Sequence, residues 1–219
     1  MIMNTFINML KKIKFIFVTI ILNINFSKSF TNSIIVPDAF MVRKTIITDS
    51  KMPIIYTGIN YNIKNIEKNK FLTAEHIYPQ SLLDEYQSKD MHNIIKTLNT
   101  LNVNRSNYKY CDHYDLNDRN WKSLEYNNYV NHKRKLFVPN SNSRGFISRS
   151  ILYMCREYNF KLSNIIDKQT LVKWFYTYSP TNSEYYHNAV VEKNQNTNNI
   201  FVSSYSKKNI AIKKYIERL

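Results

Sequence analysis

Glu75 and His76 place a carboxylate beside an imidazole in the run Thr73-Ala74-Glu75-His76-Ile77-Tyr78-Pro79-Gln80-Ser81. Downstream, Met91-His92-Asn93-Ile94-Ile95 and Asn102-Val103-Asn104-Arg105-Ser106-Asn107 add further imidazole, amide and guanidinium groups. Cleaving a phosphodiester needs a nucleophilic water, stabilisation of charge at phosphorus and help for the departing oxygen. An imidazole titrates near working pH and can take a proton from water. A carboxylate and an amide carbonyl are hard oxygen donors, and Mg²⁺ accepts such a pair while keeping most of its waters. If these segments meet in space, they build a metal-dependent phosphodiesterase site.

The elements needed to bring them together are legible in outline. Phe71 to Tyr78 reads as a short strand ended by Pro79, and Met91 to Ile95 as a second strand. From Thr97 the spacing turns helical: Leu98 and Leu101 lie three apart, as do Asn102 and Arg105 on an adjoining face. Consecutive strand residues point to opposite faces. Glu75 and His76 can therefore share one site only where the strand ends or bulges.

Around this strand-loop-strand-helix unit the remaining chain supplies packing. Residues 31–70 are broken by Pro37 and Pro53, with β-leaning runs at Thr45–Thr48 and Ile54–Tyr56. Residues 108–135 read as a solvated stretch of Tyr, Asn, His and Lys, a mixture that suits nucleic-acid contact or any exposed face. After Gly145, the residues Ile147, Ile151, Leu152, Met154 and Cys155 mark an amphipathic helix up to about Tyr158. Gln169 to Tyr178 predicts another helix, stopped by Pro180, and Ser183 a cap for a helix from Glu184 to Gln195. A basic amphipathic tail runs from about 206 to Leu219.

Composition narrows the function classes. Lys and Arg outnumber Asp and Glu by 31 to 16, a formal charge of +15, which favours a polyanionic partner, nucleic acid before an anionic membrane. Two glycines, Gly58 and Gly145, leave no glycine-rich phosphate cradle, so P-loop and dinucleotide-binding readings fail. Lys11, Lys12 and Lys14 precede the apolar run Phe15–Leu22 and a polar stretch to Ser29, the order of a secretory signal peptide. The run is short of the roughly 20 apolar residues a spanning helix needs, although an uncleaved anchor is an alternative. Residues 1–30 are assigned to this segment and 31–219 to a single domain. Export would allow Cys111 and Cys155 to bridge, while a buried thiol at Cys155 is equally consistent. Cys111-Asp112-His113 lacks the second ligand pair of a zinc site.

Four blocks together resemble the bacterial endonuclease I family, exported nonspecific nucleases of the ββα-metal (His-Me finger) superfamily. They are Glu75–Ser81; Met91–Ile94 with Asn102–Asn107; Ser143–Arg149 with Leu152-Tyr153-Met154; and Trp174–Pro180 followed by Glu184, Asn188 and Gln195. The resemblance covers roughly residues 71–201. It implies an α+β fold, with a ββα-metal core and additional helices, and cleavage that leaves 5′-phosphates; the expected substrate is DNA, with RNA as an alternative. It implies His76 as general base, Glu75 and Asn102 as ligands of Mg²⁺ (or Mn²⁺ or Ca²⁺), and no organic cofactor.

This chain departs from the family's pattern in places. The loop between Tyr78 and Met91 is short where some relatives carry an insertion that supplies an arginine to the phosphate. Lys89 and Arg149 are candidates for that role, while Arg105 contacts phosphate or braces an acidic partner. His92 and Asn93 are assigned to orienting the hairpin. The expected protein is a monomeric, secreted or periplasmic endonuclease. Competing readings are an inactive basic nucleic-acid-binding protein on the same fold and a membrane-anchored interaction protein.

Overall fold

β-branched and apolar residues alternate poorly in the two runs that carry the chemistry, yet they pair as strands, the second fully buried and the first half-buried. Leu72–His76 (β1) and Ile94–Leu98 (β2) pair antiparallel, with Glu75 opposite Ile95 and His76 opposite Ile94. All five residues of β2 are buried. Its two polar members are satisfied: Lys96 Nζ donates to the carbonyl of Asp49, and Thr97 Oγ1 donates to that of Ile55. The computed structural model describes residues 39–58, 71–115 and 117–219, with side chains at all of these except 39, 40 and 43. The predicted signal segment, residues 1–30, lies outside the described residues.

Asn99–Arg105 (α2) follows β2 without a loop, giving the ββα order. Two boundaries differ from the sequence reading. Met91–Asn93 form a 3₁₀ turn, because Asp90 accepts from the His92 N–H and tightens the chain there. Thr97 and Leu98 belong to the strand, so the helix starts at Asn99.

The run Thr45–Thr48 is also corrected: it ends a helix, Ala39–Thr48 (α1). Val42 and Ile46, four residues apart, pack into one buried cluster with Met91 and Ile94. That contact overrides the β preference of Thr and Ile. Ile54–Tyr56 contributes a single parallel bridge, Ile54 to Lys96.

The stretch read as solvated holds a second sheet. Lys109–Tyr110 (β3), Trp121–Leu124 (β4), Asn128–Asn131 (β5) and Leu136–Val138 (β6) lie in the order β3-β6-β5-β4, with β3 parallel to β6. Polar residues in inward positions hide it from a hydropathy reading. Asn128 is fully buried, and its Nδ2 donates to the carbonyl of Tyr56 at 2.7 Å.

Ser141–Tyr158 (α3) crosses the main core, where Ile147, Ile151 and Leu152 meet Trp174 and Phe137. It begins before Gly145, because Asn140 caps it through the Ser143 N–H. Lys168–Thr177 (α4), Asn182–Gln195 (α5), Ile200–Ser203 (α6) and Ile210–Arg218 (α7) complete the chain. The cap of α5 is Thr181 and not Ser183. Seven helices and two small sheets among the described residues make an α+β fold. Cys111 and Cys155 are both free thiols.

Candidate active site

Glu75 sits next to last in β1 and is 2 % exposed. Tyr56 Oη donates to its Oε1 at 2.8 Å. Since that hydroxyl has one proton, Tyr110 Oη must be the donor in the 2.6 Å contact between the two tyrosines. Arg105 lies over the Tyr110 ring, 4.6 Å from its centroid, with Nε 3.4 Å from Glu75 Oε1. Burial pushes the Glu75 carboxyl up to about 7, against the opposing effects of Arg105 and the Tyr56 hydrogen bond. A carboxyl in this state gains its full charge when a divalent cation arrives.

α2 is fastened to β1 by two side chains three residues apart. Asn102 Nδ2 donates to the carbonyl of Ala74 at 3.1 Å, which commits the amide nitrogen and leaves Oδ1 as its oxygen donor. Arg105 donates to the carbonyls of His76 (3.2 Å) and Ile77 (2.6 Å). Its Nε is buried without a hydrogen bond. Backbone carbonyls thus take both Nη groups of this guanidinium, so Arg105 holds the end of β1 beside Glu75 while also lining the cleft that Glu75 faces.

His76 is half-buried, and its Nε2 lies 2.8 Å from the carbonyl oxygen of Ser88. A carbonyl only accepts, so Nε2 carries the proton and Nδ1 is the basic nitrogen of the neutral ring. Ser88 is placed by the 3₁₀ turn Gln87–Lys89. The alternation problem is resolved by termination of the strand. Register is regular through His76, the Ile77 N–H then bonds to the Asn93 carbonyl at 3.0 Å, and the chain leaves at Pro79. Glu75, His76, Asn102 and Arg105 line one cleft of about 300 Å³, with Gln80, Ser81, Ser106 and Asn107 on its walls.

Among the described residues no three His, Cys, Asp or Glu side chains converge as a metal cluster. Among the residues lining the cleft, Glu75 offers a carboxylate and Asn102 an amide oxygen, an all-oxygen pair that fits a hard divalent ion keeping several waters.

Asn93 is fully buried; its Oδ1 accepts from the Tyr78 N–H at 2.6 Å and its Nδ2 donates to the Tyr78 carbonyl at 2.9 Å. These two bonds clamp the exit of β1 to the entry of β2. His92 points away from the cleft, with Nε2 3.2 Å from the carbonyl of Thr197. Lys89 lines a second hollow of about 260 Å³ that also touches His76, and its ammonium pairs with the exposed Glu85 at 2.7 Å.

Arg149 does not line the cleft. It is 1 % exposed, donates to both oxygens of Glu184 at 2.5 and 2.7 Å, and donates to the carbonyl of Tyr178 at 2.6 Å. The expectation that it meets substrate is corrected, because its donors are spent on joining α3 to α5. A larger cavity, about 480 Å³, lies beside this ion pair but holds none of Glu75, His76 and Asn102.

Sequence reasoning missed Tyr56, Tyr110 and Ser88. Two are tyrosines among 17 in the chain, and the third acts through its backbone, which leaves no side-chain signature.

The endonuclease I family model matches residues 37–205. The chain is also similar to Endonuclease-1 of Buchnera aphidicola subsp. Baizongia pistaciae (strain Bp), at 32% identity over 120 residues, 55% of this chain and 48% of that protein. The chain spans about half the length of this curated relative.

Proposed function

The chain belongs to the endonuclease I family, and on that premise we propose that it is a divalent-metal-dependent nuclease. Its substrate is DNA, with RNA secondary, cut with little sequence preference to leave 5′-phosphates. The observation that carries this reading is the Ser88 carbonyl fixing the His76 tautomer inside the cleft shared with Glu75 and Asn102.

Nδ1 of His76 takes the proton of the attacking water, and the Ser88 carbonyl supports the imidazolium as that proton arrives. Glu75 and Asn102 would hold Mg²⁺, with Mn²⁺ or Ca²⁺ as substitutes, and the ion would supply Lewis-acid stabilisation at phosphorus and at the leaving oxygen. Tyr56 and Arg105 keep the Glu75 carboxylate in place. Lys89 is the cation nearest in kind to the arginine that longer-looped relatives use. Glu85 is exposed and its pairing with Lys89 is screened by solvent, so a phosphate can displace it. The net charge of +15 attracts the backbone without reading bases. The order of basic, apolar and polar residues in 1–30 supports export, and the reading is of a monomer.

Plasmid nicking with Mg²⁺, with and without EDTA, tests this reading. The wild-type protein is expected to cut and His76→Ala to cut about 10²- to 10⁴-fold more slowly. A wild type that leaves the plasmid intact with both Mg²⁺ and Mn²⁺ is an inactive binding protein, and the nuclease reading is then lost.

A further inference from the structure

The wall of the cleft continues into a cationic turn that the chemistry above does not use. Asn107 lines the cleft, and the next two residues tie the rim to the second sheet. Tyr108 Oη lies 3.2 Å from His132 Nδ1, with the two rings edge to face at 5.7 Å. The Lys109 N–H donates to the carbonyl of Lys135 at 3.0 Å. Between these two anchors runs His132-Lys133-Arg134-Lys135, four consecutive exposed residues joining β5 to β6.

The shape of this turn is set by the fold. Asn131 Oδ1 accepts from the Arg134 N–H at 2.9 Å, and Lys135 closes the turn with φ 54°. Among the described residues, no carboxylate is ion-paired with Lys133, Arg134 or Lys135. Asp118 lies within electrostatic reach of Arg134 and Lys133 without an ion pair to either, and its Oδ1 accepts from the backbone and side-chain N–H groups of Asn120. Three adjacent cations with no ion pair among the described residues, on a turn hydrogen-bonded to Lys109 two residues beyond the cleft wall, present a surface complementary to a row of phosphates.

We propose that the turn His132–Lys135 is a docking surface for the phosphate backbone of the nucleic acid whose scissile group occupies the cleft. The proposal rests on the nuclease reading and extends it to the flanking strand. Lys133, Arg134 and Lys135 bind phosphates beyond the scissile one. They bind without base specificity, and they fix the direction in which the polymer leaves the site. The favoured substrate is accordingly a polymer long enough to reach the turn.

The test measures binding by fluorescence anisotropy with full-length protein in a His76→Ala background, so that cleavage does not compete. The probe is a duplex of about 30 base pairs, titrated from about 50 to about 300 mM salt. Replacing Lys133, Arg134 and Lys135 by Ala is expected to flatten the slope of log K against log salt by about 3, at ~0.9 per phosphate contact. A charge-matched control, Lys207→Ala, Lys208→Ala and Lys214→Ala, changes net charge equally on the exposed segment around α7. It is expected to keep most of the parent's slope, and circular dichroism melting confirms that both triple variants fold. Equal weakening by the control overturns the proposal, as does an unchanged slope in the turn variant. So does loss of binding to anionic phospholipid vesicles with DNA binding intact. If the wild-type protein cuts plasmid and the turn variant binds as the parent does, the docking surface alone fails. If the wild type neither binds nor cuts, the nuclease reading fails first.

Discussion

Tyr56 Oη donates to Oε1 of Glu75 across 2.8 Å, so the carboxylate of the cleft is held by a residue nineteen positions upstream. The contact is fully buried on both sides, with Tyr56 at 0% and Glu75 at 2% exposure. It links the segment before β1 to the proposed metal site. Tyr56→Phe removes the donor and keeps the ring. Folding stability is expected to fall by about 1–2 kcal/mol, and Mn²⁺ affinity by about tenfold, the effect of losing an outer partner of a ligand. Urea unfolding and titration calorimetry check the two effects; a variant that binds Mn²⁺ as the parent does removes Tyr56 from the site.

Arg105 and Arg149 are predicted to behave as braces. Arg105→Ala leaves the Glu75 carboxyl and two backbone carbonyls without their cation, and a cost of about 3–5 kcal/mol is expected. Arg105→Lys recovers little, because an ammonium cannot reach His76 O and Ile77 O together. Arg149→Ala is expected to destabilise by a similar amount through Glu184. If Arg149→Ala melts like the wild type while KM for DNA rises, Arg149 belongs to the substrate after all.

Acid sensitivity should trace to His187. Its Nε2 lies 3.1 Å from the carbonyl of Ile94, and burial, with the nearby His92, pushes its pKa down to about 3. The unfolded imidazole titrates near 6.5. Below that pH the unfolded chain takes up a proton that the native ring refuses. The stabilising contribution is therefore complete above pH 6.5 and is lost as pH falls towards 3. By linkage the loss is about 2 kcal/mol at pH 5. His187→Gln is expected to flatten the dependence of unfolding free energy on pH between 4 and 7. An equally steep profile in the variant would refute this assignment.

Gly145→Ala is expected to destabilise despite the better helix propensity of alanine. A Cβ there would stand 2.6 Å from Arg149 Nη2 and 2.9 Å from the Tyr178 carbonyl oxygen. The expected cost is about 1–3 kcal/mol, from displacing the Arg149–Glu184 pair and the end of α4. A raised melting temperature would show that the neighbours yield freely.

The sequence by itself determined the ββα unit and the residues at its centre. Glu75-His76 before Pro79, and Asn102 three residues ahead of Arg105, are local patterns. The hairpin and helix follow one another along the chain, so adjacency in sequence becomes adjacency in space. The charge excess and the near absence of glycine were equally available without coordinates.

Only the tertiary structure decided what surrounds that centre. Thr45–Thr48 is helical because Val42 and Ile46 find Met91 and Ile94. The second sheet buries Asn128 and Asn131 where a hydropathy reading expects apolar residues. Arg149 was a candidate phosphate ligand until Glu184, 35 residues away, was seen to take the Nε–Nη2 edge of its guanidinium and the Tyr178 carbonyl its Nη1. The His76 tautomer depends on a backbone oxygen, which no side chain announces. Local pattern reflects the neighbours a residue has along the chain. Burial, pairing and protonation are set by neighbours that only folding brings close.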